Sequence, residues 1–256
     1  MIYIATHKLF SSPNLEGYIP IQVGAEGKTD LGFIKDNTGD NISSKNAHYC
    51  ELTGLYWIWK NVSDEYVGIV HYRRYFSKTE LFSSEKYIYR FDELRSFLDS
   101  VDIILPEREY YKTNARYAMG DCITNENFEQ MRKSVNNLYP EYTIDYDQFF
   151  KGNSGSQYNM MFCRKQMLDD YCEWLFNILF DIEQHTDMAK LNSIQQRLYG
   201  YLSERLLNIW VMHNHLKVKY VNAVQMEMNP YKKIRVIRRR YTNRIRFAIN
   251  PNNERY

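Results

Sequence analysis

The sequence predicts an α/β fold, a single domain built on a central, mostly parallel sheet flanked by helices. Three observations predict it. Residues 66–70, Tyr-Val-Gly-Ile-Val, form a short apolar and partly β-branched run that reads as a buried strand. The run ends abruptly in His71, Tyr72, Arg73 and Arg74. Polar groups at the carboxyl end of a core strand mark the ligand crevice of open α/β sheets. A helix with Leu52, Leu55, Tyr56 and Trp59 at helical spacing leads into this strand, which is the βαβ rhythm.

The other elements follow in order. Residues 1–5 read as the first strand, with Thr6, His7 and Lys8 at its carboxyl end, where a first βα loop meets a nucleotide. Residues 19–23 are a second extended piece, closed by Gly24. Residues 36–46 are rich in turn formers, and their short polar side chains, Asp40 and Asn41 among them, suit contact with ribose or sugar hydroxyls; a plain surface loop is the alternative. A helix is expected over 91–100 and a strand over 101–105, stopped by Pro106. The tyrosine-rich segment 107–117 lacks a clear period and reads as a loop over the cleft. Then come a helix over 125–138, a turn at 153–156 and a strand over 158–163, with Asn159 near its start. Leu168, Tyr171, Leu175, Phe176, Leu179 and Ile182 mark a long amphipathic helix. A helix over 194–212 and a strand over 217–221, polar and apolar in alternation, complete the body.

The 256 residues can bury a full core. The 23 tyrosines and 13 phenylalanines suit wet clefts and interfaces. Four scattered cysteines without metal or redox spacing read as reduced, mostly buried thiols of a cytoplasmic protein. No basic leader and no apolar stretch of membrane-spanning length is expected. Eight of the 33 basic residues lie between Lys232 and Arg246 with no acid among them, leaving 25 elsewhere against all 31 acidic residues. A mildly acidic domain over 1–230 therefore precedes a basic tail over 231–256. Interleaved with Ile234, Val236, Ile237, Tyr241, Ile245 and Phe247, the cations of 232–246 fit an anionic membrane surface; a solvated helix or a flexible end is the alternative.

Walker, G-x-G-x-x-G, H-E-x-x-H and CxxC motifs are absent, which argues against P-loop kinases, Rossmann dehydrogenases, zincins and zinc ribbons. His213 and His215 lack a third ligand, so no metal site is expected. Arginine forks match phosphate oxygens, so Arg73 and Arg74 beside His71 predict a pocket for a phosphorylated ligand; a basic, solvated turn is the alternative. A general base must come from a carboxylate. Glu204 flanks an apolar helical face, where partial burial raises a pKa, unless it pairs with Arg197 or Arg205. Asp121, in a Met-Gly-Asp turn, is the second candidate, unless it caps a helix.

Several strings carry a likeness: Thr6-His7-Lys8, residues 18–25, 36–43 and 68–75, Cys50-Glu51-Leu52-Thr53 with Tyr56-Trp57, Asn159-Met160, and Tyr201-Leu202-Ser203-Glu204-Arg205-Leu206. Over residues 2–224 the chain resembles a bacterial polysaccharide glycosyltransferase family, once catalogued only as a domain of unknown function. The resemblance implies a GT-A fold and a galactofuranosyltransferase. It also implies UDP-galactofuranose as donor and a glycan or undecaprenyl-diphosphate-linked acceptor, in capsule, exopolysaccharide or O-antigen assembly. Common GT-A enzymes place a metal-binding Asp-x-Asp where this strand ends in His71-Tyr72-Arg73-Arg74. A divalent metal such as Mn is therefore possible but not required, and Arg73 or Arg74 would neutralise the diphosphate, with His71 hydrogen-bonding the donor. An α-linked donor and a β product imply one inverting, in-line displacement with a single base. The expected location is the cytoplasm, peripheral on the inner face of the membrane. Readings from other classes are a nucleic-acid-binding protein using the basic tail and a non-catalytic UDP-sugar-binding module.

Overall fold

The structure, a computed structural model, describes residues 1–249; residues 250–256, the end of the expected tail, lie outside the described residues. The chain opens with strands β1 (Ile2–Thr6), β2 (Tyr18–Gln22) and β3 (Ile34–Lys35), then helices α1 (Asn46–Tyr49) and α2 (Leu52–Asn61). A tight hairpin of β4 (Tyr66–His71) and β5 (Arg74–Ser77) precedes α3 (Phe91–Phe97), β6 (Ile103–Pro106) and β7 (Glu109–Tyr110). Helices α4 (Asn125–Leu138) and α5 (Thr143–Lys151) lead to β8 (Ser154–Gly155), β9 (Met161–Arg164) and α6 (Lys165–Gln184). Helix α7 (Leu198–His213), strand β10 (Val218–Gln225) and helix α8 (Pro230–Ile249) complete the described chain.

The main sheet is mixed, where a mostly parallel one was expected. Four of its pairings are parallel: β1 with β2, β1 with β4, β2 with β3, and β6 with β10. Four are antiparallel, because β9 runs back between β4 and β6, and β5 turns back from β4 to pair with β10. These pairings close a small ring, β4–β9–β6–β10–β5–β4, whose last link is the single pair His71–Arg74. Gly68 is needed inside it: a Cβ there would sit 2.8 Å from the Met161 carbonyl oxygen and 2.8 Å from the Phe162 ring. The strand expected at residue 158 starts at Met161, since Tyr158 (φ 76°) and Asn159 (φ 50°) are left-handed and cannot extend a pleat.

Alternation along β1 builds two cores. Tyr3 and Ala5 face a large one under α2, α4, α6 and α7; Ile2 and Ile4 face a smaller one that includes Leu94 and Leu98 near α3. Thr124 caps α4 by accepting from the Asn127 amide at 3.1 Å. The basic tail proves to be a 20-residue helix joined to the domain. Pro230 opens it, and the Asn229 side chain accepts from the Tyr231 amide at 2.9 Å. Arg240 then anchors it, with Nη1 on Glu80 at 2.9 Å and Nη2 on Glu109 at 2.5 Å, while Asn243 donates to the Tyr110 carbonyl at 2.8 Å.

Candidate active site

A cleft of about 960 Å³ opens where the carboxyl ends of β1 and β4 meet α7. Its floor is the end of β1 (Ala5, His7) and the β4–β5 turn (His71 to Arg74). The loop expected over the cleft does line it, through Glu109 to Thr113 and Tyr117, although it carries the two-residue strand β7. One wall is a face of α7 and the turn before it: Arg197, Tyr201, Glu204 and Arg205 lie four, seven and eight positions apart and so share one side. The opposite rim carries Arg239 and Asn243 of α8.

Glu204 lies in this lining and is partly buried. Its Oε1 accepts from the Tyr158 amide at 2.9 Å. Among the described residues it forms no ion pair with Arg197 or Arg205. Burial, reinforced by Glu51, pushes its carboxyl above the ordinary range, against the opposing pull of Arg205, the Tyr158 amide and Arg74. A carboxylate whose pKa is raised is a stronger base than a solvated one.

A second carboxylate, Glu51, stands in the same cleft at the start of α2. Asn159, 2% exposed, donates to its Oε1 at 2.7 Å and to the Gly200 carbonyl at 3.1 Å, while Ser203 donates to the Asn159 amide oxygen at 2.9 Å. Asn159 is thus outside the lining, and it positions Glu51 from below. Cys50, Tyr158 and Asn159 are three of the four non-glycine residues with positive φ among the described residues, and all border this place. Such conformations cost about 1–3 kcal/mol each and concentrate at functional sites.

His71 Nε2 donates to the Tyr158 carbonyl at 2.5 Å, which fixes the tautomer and leaves Nδ1 as an acceptor. Burial lowers its pKa, so the ring is neutral at neutral pH. His7 is likewise lowered, by burial and then by the Arg73 charge, and meets Tyr72 edge-on at 5.5 Å. Arg74 lies over the Tyr158 ring at 4.5 Å; Arg73 lies over Tyr72 at 4.7 Å with only a loose contact to Glu227 at 3.6 Å. Arg205, 2% exposed, donates through Nη1 to the Tyr111 hydroxyl at 2.7 Å, and its buried Nε has no partner among the described residues.

Of the residues singled out in the sequence, His7, His71, Arg73, Arg74 and Glu204 come together in the lining. Six do not reach it: Asn159, which lies beneath it, and Thr6, Lys8, Asp40, Asn41 and Asp121. Thr6 is buried and bonds Lys8 across a turn, and Lys8 sits over Tyr72 at 5.1 Å. Asp40 accepts from Tyr56 at 3.1 Å and ties the loop to α2, while Asn41 accepts from the Ser43 amide at 3.1 Å within the loop. Asp121 is exposed in its turn. The buried carboxylate of the 36–46 loop is Asp36, which accepts from the Gly24 amide at 2.7 Å and the Ala25 amide at 3.0 Å. The sequence reading did not single out Glu51 or Tyr111, and took Arg205 only as a partner for Glu204. Four-residue spacing from Arg197 and Tyr201 was the available signal for Arg205; Glu51 and Tyr111 had none. Among the described residues, no group of three or more His, Cys, Asp or Glu side chains is disposed to hold a metal ion.

A search of curated proteins finds no match. Among solved structures, the chain is similar to the one titled as the apo structure of the WbbM bifunctional glycosyltransferase, with 32% identity and a TM-score of 0.81. The similarity covers 89% of this chain and 45% of that one, so the chain spans under half of that protein's length. The matching α/β layout is therefore shared with part of a larger protein. A family described as a domain of unknown function, DUF4422, matches residues 1–215, which hold the whole sheet except β10 and every cleft residue outside α8, and the chain belongs to that family.

Proposed function

We propose that the chain is an inverting glycosyltransferase of GT-A type. It moves a galactofuranosyl, or another hexosyl, residue from a UDP-sugar to a glycan or undecaprenyl-diphosphate-linked acceptor in bacterial surface polysaccharide synthesis. The observation that carries the reading is the pairing, in one cleft, of a partly buried carboxylate of raised pKa with two arginines at the sheet's carboxyl edge. The similarity to part of a structure titled a glycosyltransferase supports it. The lipid-linked acceptor sets the place of action at the inner face of the membrane. No helix among the described residues is long and apolar enough to cross one.

In this reading the UDP diphosphate lies against Arg73 and Arg74. His71 Nδ1, a neutral acceptor, takes a hydroxyl of the donor. The acceptor hydroxyl attacks the anomeric carbon on the side opposite UDP. Glu204 takes its proton as the new C–O bond forms, the bond to the β-phosphate oxygen breaks, and that electron pair leaves with UDP. The arginines then offset the charge that develops on the diphosphate. Glu51, fixed by Asn159, accepts from a sugar hydroxyl. With no clustered metal ligands among the described residues, no step runs through a metal.

A panel of UDP-sugars with product detection, run with Mn²⁺ and with EDTA, tests the reading. The expected result is transfer from UDP-galactofuranose under both conditions. Transfer from no donor would leave only a sugar-nucleotide-binding module; metal-dependent transfer that survives loss of both Arg73 and Arg74 would end their role.

A further inference from the structure

Helix α8 carries a pattern that its role as a cleft rim does not use. At 100° per residue, its docked side is Lys233, Val236, Arg240, Asn243 and Phe247. Lys233 and Arg240 spend their charge inward, on Ser83 and on the Glu80–Glu109 pair. The opposite side is a stripe of Tyr231, Ile234, Tyr241, Ile245 and Ile249, each more than half exposed, with the exposed Arg238 set among them. Between that stripe and the cleft runs a row of exposed cations, Lys232, Arg235, Arg239 and Arg246, of which Arg239 already lines the cleft. The row follows helical spacing, so it forms one edge.

A second segment continues the surface. The loop after β5 brings Leu81 and Phe82, both exposed, against the start of α8, where they border a hollow of about 660 Å³ with Met226, Pro230 and Lys233. Two separate chain segments thus present large apolar side chains at the same end of the helix.

We propose that this face, the outer stripe of α8 with Leu81 and Phe82, is a docking surface for an anionic lipid bilayer, and that docking turns the cleft mouth toward the headgroups. Charge selects the occupant. The eight cations of 232–246 have no acid among them, while the rest of the chain holds 25 basic against 31 acidic residues. An anionic surface therefore repels the body and attracts this helix, which orients the molecule. The exposed isoleucines decide against nucleic acid, whose phosphates and bases call for cations and flat aromatic rings. They suit the acyl boundary, where an amphipathic helix lies with its apolar side down and its cations at headgroup level. Because the cationic edge lies between the stripe and the cleft, a lipid-linked diphosphate held in the headgroup layer would reach the cleft past Arg239. That last consequence rests on the proposed acceptor; the docking itself does not.

Flotation of the full-length chain with vesicles of phosphatidylglycerol and phosphatidylcholine, beside vesicles of phosphatidylcholine alone, tests the proposal. The anionic vesicles are expected to bind in a salt-sensitive way. Reversing Lys232, Arg235 and Arg238 to Glu should weaken binding at least fivefold per cation. Ile234→Asp with Ile245→Asp should abolish it. All five positions are exposed, so far-ultraviolet circular dichroism and the melting temperature should be unchanged, which separates lost docking from misfolding. No binding to anionic vesicles, equal binding by the variants, or binding only to a single-stranded oligonucleotide would overturn the proposal. UDP binding in solution, measured on the same variants, reports on the transferase reading independently and should not change.

Discussion

Glu204→Gln is expected to bind UDP-sugar as the wild type does and to lose turnover by about 10²–10⁴-fold, the usual contribution of a well-placed base. Glutamine keeps the acceptor oxygen for the Tyr158 amide, so the wall of α7 stays in place. What goes is the site for the acceptor's proton. In the wild type, turnover should fall as pH drops through the Glu204 pKa, which burial holds above the ordinary carboxylate value near 4.5. Stability moves the other way. A carboxyl whose folded pKa is raised binds its proton more tightly in the folded state, so its contribution is fully present below the unfolded value and is lost as pH rises through the folded one. The variant should therefore be more stable than the wild type at pH 7 and nearly equal to it at pH 4. Single-turnover kinetics and thermal melts at both pH values check this; an active Glu204→Gln enzyme would remove Glu204 from the role.

Arg240→Ala should release α8. The guanidinium forks onto Glu109, with Nη2 at 2.5 Å from Oε1 and Nε at 3.3 Å from Oε2, and reaches Glu80 through Nη1 at 2.9 Å. Removing one partner of a buried pair costs about 3–5 kcal/mol, because the charges left behind are neither solvated nor matched. Here the three side chains keep 12–22% exposure, so the lower end of that range applies. The loss falls on the junction between α8 and β7. Hydrogen exchange should therefore show residues 230–249 losing protection while β1 and β4 keep theirs. Arg239 and Asn243 leave the rim with the helix, so KM for the acceptor should rise more than KM for the donor. Unchanged protection of α8 would show that other contacts hold it. Arg240→Lys, which keeps the charge and loses the fork, should fall between the two.

The parts of the site that could be read from the sequence are those where chemistry breaks a pattern. His71 to Arg74 interrupt an apolar strand, and Glu204 interrupts an apolar helical face; both lie in the cleft. Glu51 breaks nothing, since a carboxylate at the start of a helix is ordinary, and its role depends on Asn159, which is 108 residues away in sequence and bonded to it at 2.7 Å. Arg205 was legible only as a salt-bridge partner, while its actual partner, Tyr111, comes from a loop with no period. Asp40 and Asn41 looked equipped for hydroxyls, yet Asn41 satisfies its own loop's backbone and Asp40 is taken by the Tyr56 hydroxyl of α2.

The fold shows the same division. The helices from 50 to 61 and from 165 to 184, with strands β1, β4 and β6, carry their periods in buried residues and were read correctly in type. Strands β3, β5, β7 and β8 hold two to four residues each, too few for alternation to register. Antiparallel insertion of β9 is a long-range choice that no local pattern carries. Helix α8 was missed as a docked element because its exposed side is apolar and its anchor is an arginine, the reverse of the usual burial pattern.

Titration of UDP into the full-length chain in EDTA, with the Arg73→Ala/Arg74→Ala double variant beside the wild type, tests most directly whether this cleft holds a nucleoside diphosphate by fixed cations. Charge-assisted hydrogen bonds contribute about 1.5–3 kcal/mol each, so loss of both arginines should weaken binding by about a hundredfold or more. Saturable, metal-free binding by the wild type and that loss in the variant are the predicted result. A wild type that ignores UDP, or a double variant that binds it equally well, would contradict it.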